Sequence, residues 1–202
     1  MGYFTYRIFK RVSLRRLRRQ VQANLDLYKR GTVGTKIQVQ LLTGDRCSAI
    51  LMGMYNHEDM VFWTVGPQLG CIWMDVRYQD GDVWDLTIYE GAEHKVTHSV
   101  NPWAYQLKVE YVPRHIKFRI NRVCELWPEQ ADRIRRYLLP WRKPVSKLGR
   151  TRFIPRKGKA YKTDQFGYGN AEQISDFVAA FGLGAQSRWE TVTGGRRRRS
   201  EK

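Results

Sequence analysis

The sequence predicts an α+β fold: an antiparallel β-barrel or sandwich core with flanking helices and a disordered basic C-terminal tail. Three observations carry this expectation. Residues 36–123 alternate apolar and polar side chains in short runs broken by Gly, Asp and Pro, as closely spaced strands do. Residues 13–28 set Leu14, Leu17, Val21, Leu25 and Tyr28 at steps of three and four, one stripe of an amphipathic helix. Residues 133–162, RIRRYLLPWRKPVSKLGRTRFIPRKGKAYK, hold twelve Lys or Arg and no Asp or Glu. With 42% hydrophobic and 13% aromatic residues, a 202-residue chain has the material for a core.

In chain order, the aromatic stretch 3–9 reads as a short strand or an anchor on the core. Ser13 is placed to cap a helix running to about Tyr28, with Gly31 as its stop. Strands follow at 37–41, 46–55, 60–65 (MVFWTV), 70–78 and 84–88, with Gly44-Asp45 and Asp80-Gly81 as turns. Further strands are read at 94–100, 105–112 and 116–120, the last from Ile116, Phe118 and Ile120 alternating with Lys117 and Arg119. Pro128 suits the first turn of a helix to about Leu139. A last helix starts at Asn170, with Gln173 as capping partner, and Gly182 ends it. The segments are a basic helical arm (1–35), a β-rich core with an acidic surface (36–123), a helix, basic loop and final helix packed on that core (124–182), and a disordered Arg-rich tail (183–202).

Charge is unevenly placed along the chain, whose formal net charge is +17. Residues 1–36 carry 10 basic and 1 acidic residue, residues 37–112 carry 4 and 10, and residues 113–202 carry 22 and 8. A one-sign run as long as 133–162 implies an anionic partner, because a solvated face ordinarily mixes both signs. Its aromatics, Tyr137, Trp141, Phe153 and Tyr161, sit between the cations, while Pro140, Pro144, Pro155, Gly149 and Gly158 keep most of it out of helix and sheet. Cations interleaved with aromatics can hold phosphates while stacking bases. The candidate nucleic-acid contacts are therefore Arg133, Arg135, Arg136, Trp141, Arg142, Lys143, Lys147, Arg150, Arg152, Phe153, Arg156, Lys157, Lys159, Tyr161 and Lys162, joined by the tail arginines Arg196, Arg197, Arg198 and Arg199. Arg15, Arg16, Arg18 and Arg19 crowd the first turns of the N-terminal helix, against its dipole, and form a second anion site or a membrane-facing one.

Residues 36–62, KIQVQLLTGDRCSAILMGMYNHEDMVF, resemble the first motif of the Sm-like family of small RNA-binding barrels, through Ile37, Val39, Leu41, Gly44, Ala49, Leu51 and Gly53. The amphipathic helix before them and the stretch Leu69–Met74 extend the likeness to the start of that family's second motif. The resemblance implies a small barrel. The positions where the family reads RNA hold Asp59 and Asp75-Val76 here, so the family's RNA pocket is not implied.

No catalytic arrangement emerges from the residues, and no cofactor is expected. His94 and His98 would suit zinc on a helix. On a strand, residues four apart share a face but lie ~13 Å from each other. Asp75, Asp80, Asp82 and Asp85 read as hairpin turns and a solvated face rather than a cation site. Three scattered cysteines, Cys47, Cys71 and Cys124, argue for a reducing compartment, cytoplasm or nucleus, or a virion. No apolar run has the length of a membrane span. The expected function is non-catalytic binding of RNA, or of nucleic acid generally, as a structural part of a ribonucleoprotein or viral nucleocapsid. Self-association between the acidic core and the basic arms is a further expected contact. The alternative is a peripheral, matrix-like protein on anionic lipid.

Overall fold

A computed structural model describes residues 4–31, 37–53, 58–79, 83–99, 116–138, 145–147, 150–152, 159, 162–166, 171–183 and 189–194. The elements are β1 (Phe4–Lys10), α1 (Leu14–Gly31), β2 (Ile37–Gly44), β3 (Cys47–Gly53), α2 (Glu58–Trp63), α3 (Val65–Leu69), β4 (Ile72–Gln79), β5 (Val83–Glu90) and β6 (Glu93–Ser99), then α4 (Ile116–Leu126), α5 (Ala131–Arg135), β7 (Val145–Lys147), β8 (Arg150–Arg152), α6 (Ala171–Ala179) and β9 (Trp189–Gly194). A 3-10 turn, Pro128–Gln130, joins α4 to α5.

The fold is α+β, but the sheet is open and neither a barrel nor a sandwich of sheets. Seven antiparallel strands lie in the order β6-β5-β4-β1-β3-β2-β9, and β7 pairs with β8 as a separate hairpin. Helices cover both faces. On one face Leu17, Val21 and Leu25 of α1, with Val61, Phe62, Val65 and Leu69 of α2 and α3, pack on Phe9, Ile50, Met52 and Trp73. On the other, Ile120, Val123, Ile134, Ile174, Phe177 and Phe181 pack on Ile8, Met74, Val76, Trp84, Leu86 and Ile88. Strands buried on both sides need consecutive apolar residues, and β1 buries Ile8 and Phe9 while β4 buries Trp73, Met74, Asp75 and Val76 in succession.

Four expectations change. Residues 1–35 are not an arm: β1 is the central strand, between β4 and β3, and the apolar stripe of α1 is core. Residues 60–65 are helical rather than a strand, since Val61, Phe62, Val65 and Leu69 recur at helical spacing and that stripe outweighs local β preference. Residues 116–120 begin α4 for the same reason: Ile120, Val123, Cys124 and Trp127 continue at steps of three and four, which a three-point alternation does not reveal. Residues 189–194, placed in the tail, form the edge strand β9, paired with β2 from Ile37↔Gly194 to Leu42↔Trp189. The expected strand at 105–112 lies outside the described residues, as do 195–202.

Other local readings agree with the structure. The Ser13 Oγ accepts the N–H of Arg16 at 3.3 Å, a cap for α1. Gly182 takes a left-handed φ of 73° just past α6. Gly66 is needed for space, because a Cβ there would lie 2.2 Å from the Trp73 indole nitrogen. Asn170, the expected start of the last helix, lies outside the described residues, and its expected capping partner Gln173 sits in α6. It is buried, accepting from the Trp84 indole at 3.2 Å and donating to Asp164 at 3.0 Å.

Candidate nucleic-acid interface

The structure separates the predicted cations into used and unused ones. In α1, Arg16 donates to the Leu69 carbonyl at 3.0 Å, and Arg18 pairs with Glu190 of β9, so both hold the helix to its surroundings. Arg15 and Arg19 are exposed and make no ion pair among the described residues. At α5, Arg133 is exposed and has no ion pair among the described residues, Arg135 reaches the Asn121 side chain at 3.3 Å, and Arg136 donates to the Arg133 carbonyl at 3.1 Å. Lys159 and Lys162 are exposed. Lys147, Arg150 and Arg152 fall in the β7–β8 hairpin, where the register sets Lys147 opposite Arg150. Trp141, Arg142, Lys143, Phe153, Arg156, Lys157, Tyr161 and Arg196–Arg199 lie outside the described residues. Tyr137 does not stack on a base: it is buried, its hydroxyl donates to Asp176, and its ring meets Phe177 edge-on at 5.4 Å.

Several carboxylates are engaged by cations of the protein itself. Asp75, which sequence reading placed on a solvated face, is fully buried and pairs with an equally buried Arg7 through bonds of 2.6 and 2.9 Å. Arg77 adds a third bond at 2.9 Å. The Arg7 guanidinium lies 5.2 Å from the Trp73 ring centroid and 5.4 Å from that of Trp63. Its place was visible only as one cation inside an aromatic strand, FTYRIFK. Glu90 and Glu93 both hold Lys95, at 3.1 and 2.7 Å. Glu125 pairs with Arg122 at 3.0 Å.

Glu129 joins the 3-10 turn to the end of β1. It meets Lys10 at 3.2 Å and Arg11 at 2.7 Å. Its carboxyl is held down at about 2, first by a hydrogen bond from its own backbone N–H and then by Arg11 and Lys10. A carboxyl depressed from its ordinary 4.5 stabilises the fold fully above 4.5 and loses that contribution as pH falls towards 2. The denaturation midpoint of wild type should therefore exceed that of Glu129→Gln at pH 6, and the gap should close between pH 4.5 and pH 2. A gap that persists unchanged at pH 2 would show that the charge is not its source.

Two other chemistries find no support in the geometry. A register shift between Ile88 and Tyr89 sets His94 opposite Tyr89 and His98 opposite Leu86. The two histidines thus occupy opposite faces of the strand, contrary to the shared face expected: His94 is exposed and meets Thr97 at 2.9 Å, while His98 is buried. Among the described residues, no three His, Cys, Asp or Glu are grouped to hold a metal ion. Burial pushes the thiols of Cys47 up to about 12 and of Cys71 up to about 11, and raises that of Cys124, so none is a thiolate near neutral pH. No described helix is long and apolar enough to cross a membrane. Compared with protein-family models, curated proteins and solved structures, the chain matches none of them.

Proposed function

We propose that this protein binds nucleic acid without catalysis, with RNA favoured, as a structural component of a ribonucleoprotein or nucleocapsid. The observation that carries the reading is the fate of its charges. Asp75, Glu90, Glu93, Glu125, Glu129 and Glu190 are paired with cations of the protein itself, Glu90, Glu93 and Glu125 at its surface. Arg15, Arg19, Arg46, Arg133, Lys159 and Lys162 are exposed and carry no ion pair among the described residues. Among the described residues these exposed cations outnumber the exposed carboxylates without an ion pair, Asp45, Asp132 and Glu172, and phosphate is a counter-charge that suits the excess. Lys and Arg within 133–162 neutralise phosphates and release counterions, and Trp141, Phe153 and Tyr161 add base stacking.

The lipid reading gave α1 an apolar stripe to sink into a bilayer. Leu17, Val21 and Leu25 are instead buried against the sheet, which leaves Leu27 as the exposed large apolar side chain of α1 among the described residues. Fluorescence anisotropy with a labelled single-stranded RNA, run across a salt series, tests the proposal. A linear fall of log affinity with log salt, with a slope of several units, is the expected result. No binding at low salt would remove nucleic acid as the partner.

A further inference from the structure

A hollow of about 520 Å³ opens where the β2–β3 turn meets the β1–α1 junction, with Arg11, Ser13, Thr43 and Arg46 on its walls. Two features mark it. Arg11 and Arg46 are the non-glycine residues with positive φ among those described, at 55° and 54°, and the Arg11 N–H donates to the Arg46 carbonyl at 2.6 Å. The left-handed region is disfavoured for any residue with a Cβ, and glycine would hold the same turns without strain. An arginine kept in that region points to a use for its side chain. Arg11 has Glu129 as a partner, whereas the exposed Arg46 has no ion pair among the described residues.

The second feature is the balance of charge around the hollow. Arg11 and Arg46 line the hollow beside the apolar Val12, Leu14 and Cys47, and among the described residues no carboxylate lines it. Glu129 is already held by Lys10 and Arg11, whereas Asp45, whose charge acts on the wall residue Cys47, has no ion pair among the described residues. Both wall hydroxyls, Ser13 and Thr43, are exposed and can donate. We propose that Arg46, with Arg11, Ser13 and Thr43, forms a pocket for one backbone phosphate of a single-stranded RNA. This pocket rests on the nucleic-acid reading and adds to it a contact outside residues 133–162. Arg46 supplies the fork of donors that matches a phosphate, and Arg11 shares its own between that phosphate and Glu129.

The test uses the full chain with Arg46→Gly, and Arg46→Lys as its control. Glycine relieves the left-handed strain, so the melting temperature should stay the same or rise. The slope of log affinity against log salt should fall by about 0.7, the share of one phosphate on a single strand. Arg46→Lys, which keeps the charge, should retain the wild-type slope. A purely structural arginine would lower the melting temperature on removal and leave the slope alone, which overturns the pocket. An unchanged slope in Arg46→Gly, with RNA binding intact, overturns the pocket and leaves the nucleic-acid reading standing. Absence of salt-dependent RNA binding in wild type overturns both.

Discussion

Asp75→Ala should destabilise the protein by roughly 3–5 kcal/mol, the largest effect of any single substitution considered for its charged residues. Asp75 and Arg7 face each other across β1 and β4, and neither side chain has any exposed surface. Removing the carboxylate leaves a guanidinium that cannot shed its proton, enclosed between the rings of Trp63 and Trp73. For a chain of this size that loss lowers the melting temperature by about 6–20 °C. Replacing both partners by apolar residues, Arg7→Met with Asp75→Leu, should restore most of the stability, because the pair's attraction is offset by the desolvation of two charges. Arg77 would then lose its carboxylate too, but its side chain is 32% exposed and can turn to water. Urea denaturation of the three proteins reads this out. An Asp75→Ala midpoint within experimental error of wild type would show that the pair is not a buried charge pair in solution.

The same pair shows why some of the fold was legible in the sequence and some was not. Turns and caps depend on one or two residues, so Ser13 and Gly182 could be read directly. Periodicity also worked where a stripe was long, as in α1. It failed over short stretches: the five apolar residues of 60–65 and the three of 116–120 fit either period, and only the partners further along decide. The open sheet was missed because alternation was read as one-sided burial. Consecutive buried residues in Cys47-Ser48-Ala49-Ile50, and again around Met74, were the available sign that helices cover both faces. Asp75 looked like a surface acid because its partner is 68 residues away, and no local pattern carries such a distance. Of the proposed interface, the surplus of positive charge was legible, but its distribution was not. Arg16 and Arg18 read as equal to Arg15 and Arg19, yet the fold uses the first two and leaves the others exposed.

That distribution determines which charges can be removed without disturbing the fold. Arg133, Lys159 and Lys162 make no ion pair among the described residues and are exposed, so changing all three to Gln should move stability by only a few tenths of a kcal/mol each. Their effect on RNA should be much larger. If each holds one phosphate of a single strand, three contacts remove about 2 units from the salt slope and weaken binding on the order of 100-fold at 0.1 M salt. The comparison protein is Arg15→Gln with Arg19→Gln, which removes charge from α1 while keeping the Arg16 and Arg18 contacts that hold it. It should retain most of the RNA affinity. The reverse outcome, with RNA binding lost in the α1 variant and kept in the triple variant, would move the interface from residues 133–162 to the opposite face of the sheet. Arg15 and Arg19 lie on α1 and Arg133 on α5, helices that cover different sides of β1, so one strand of RNA reaches both only by wrapping the sheet's edge. The ratio of the two losses therefore reports which face holds the phosphates.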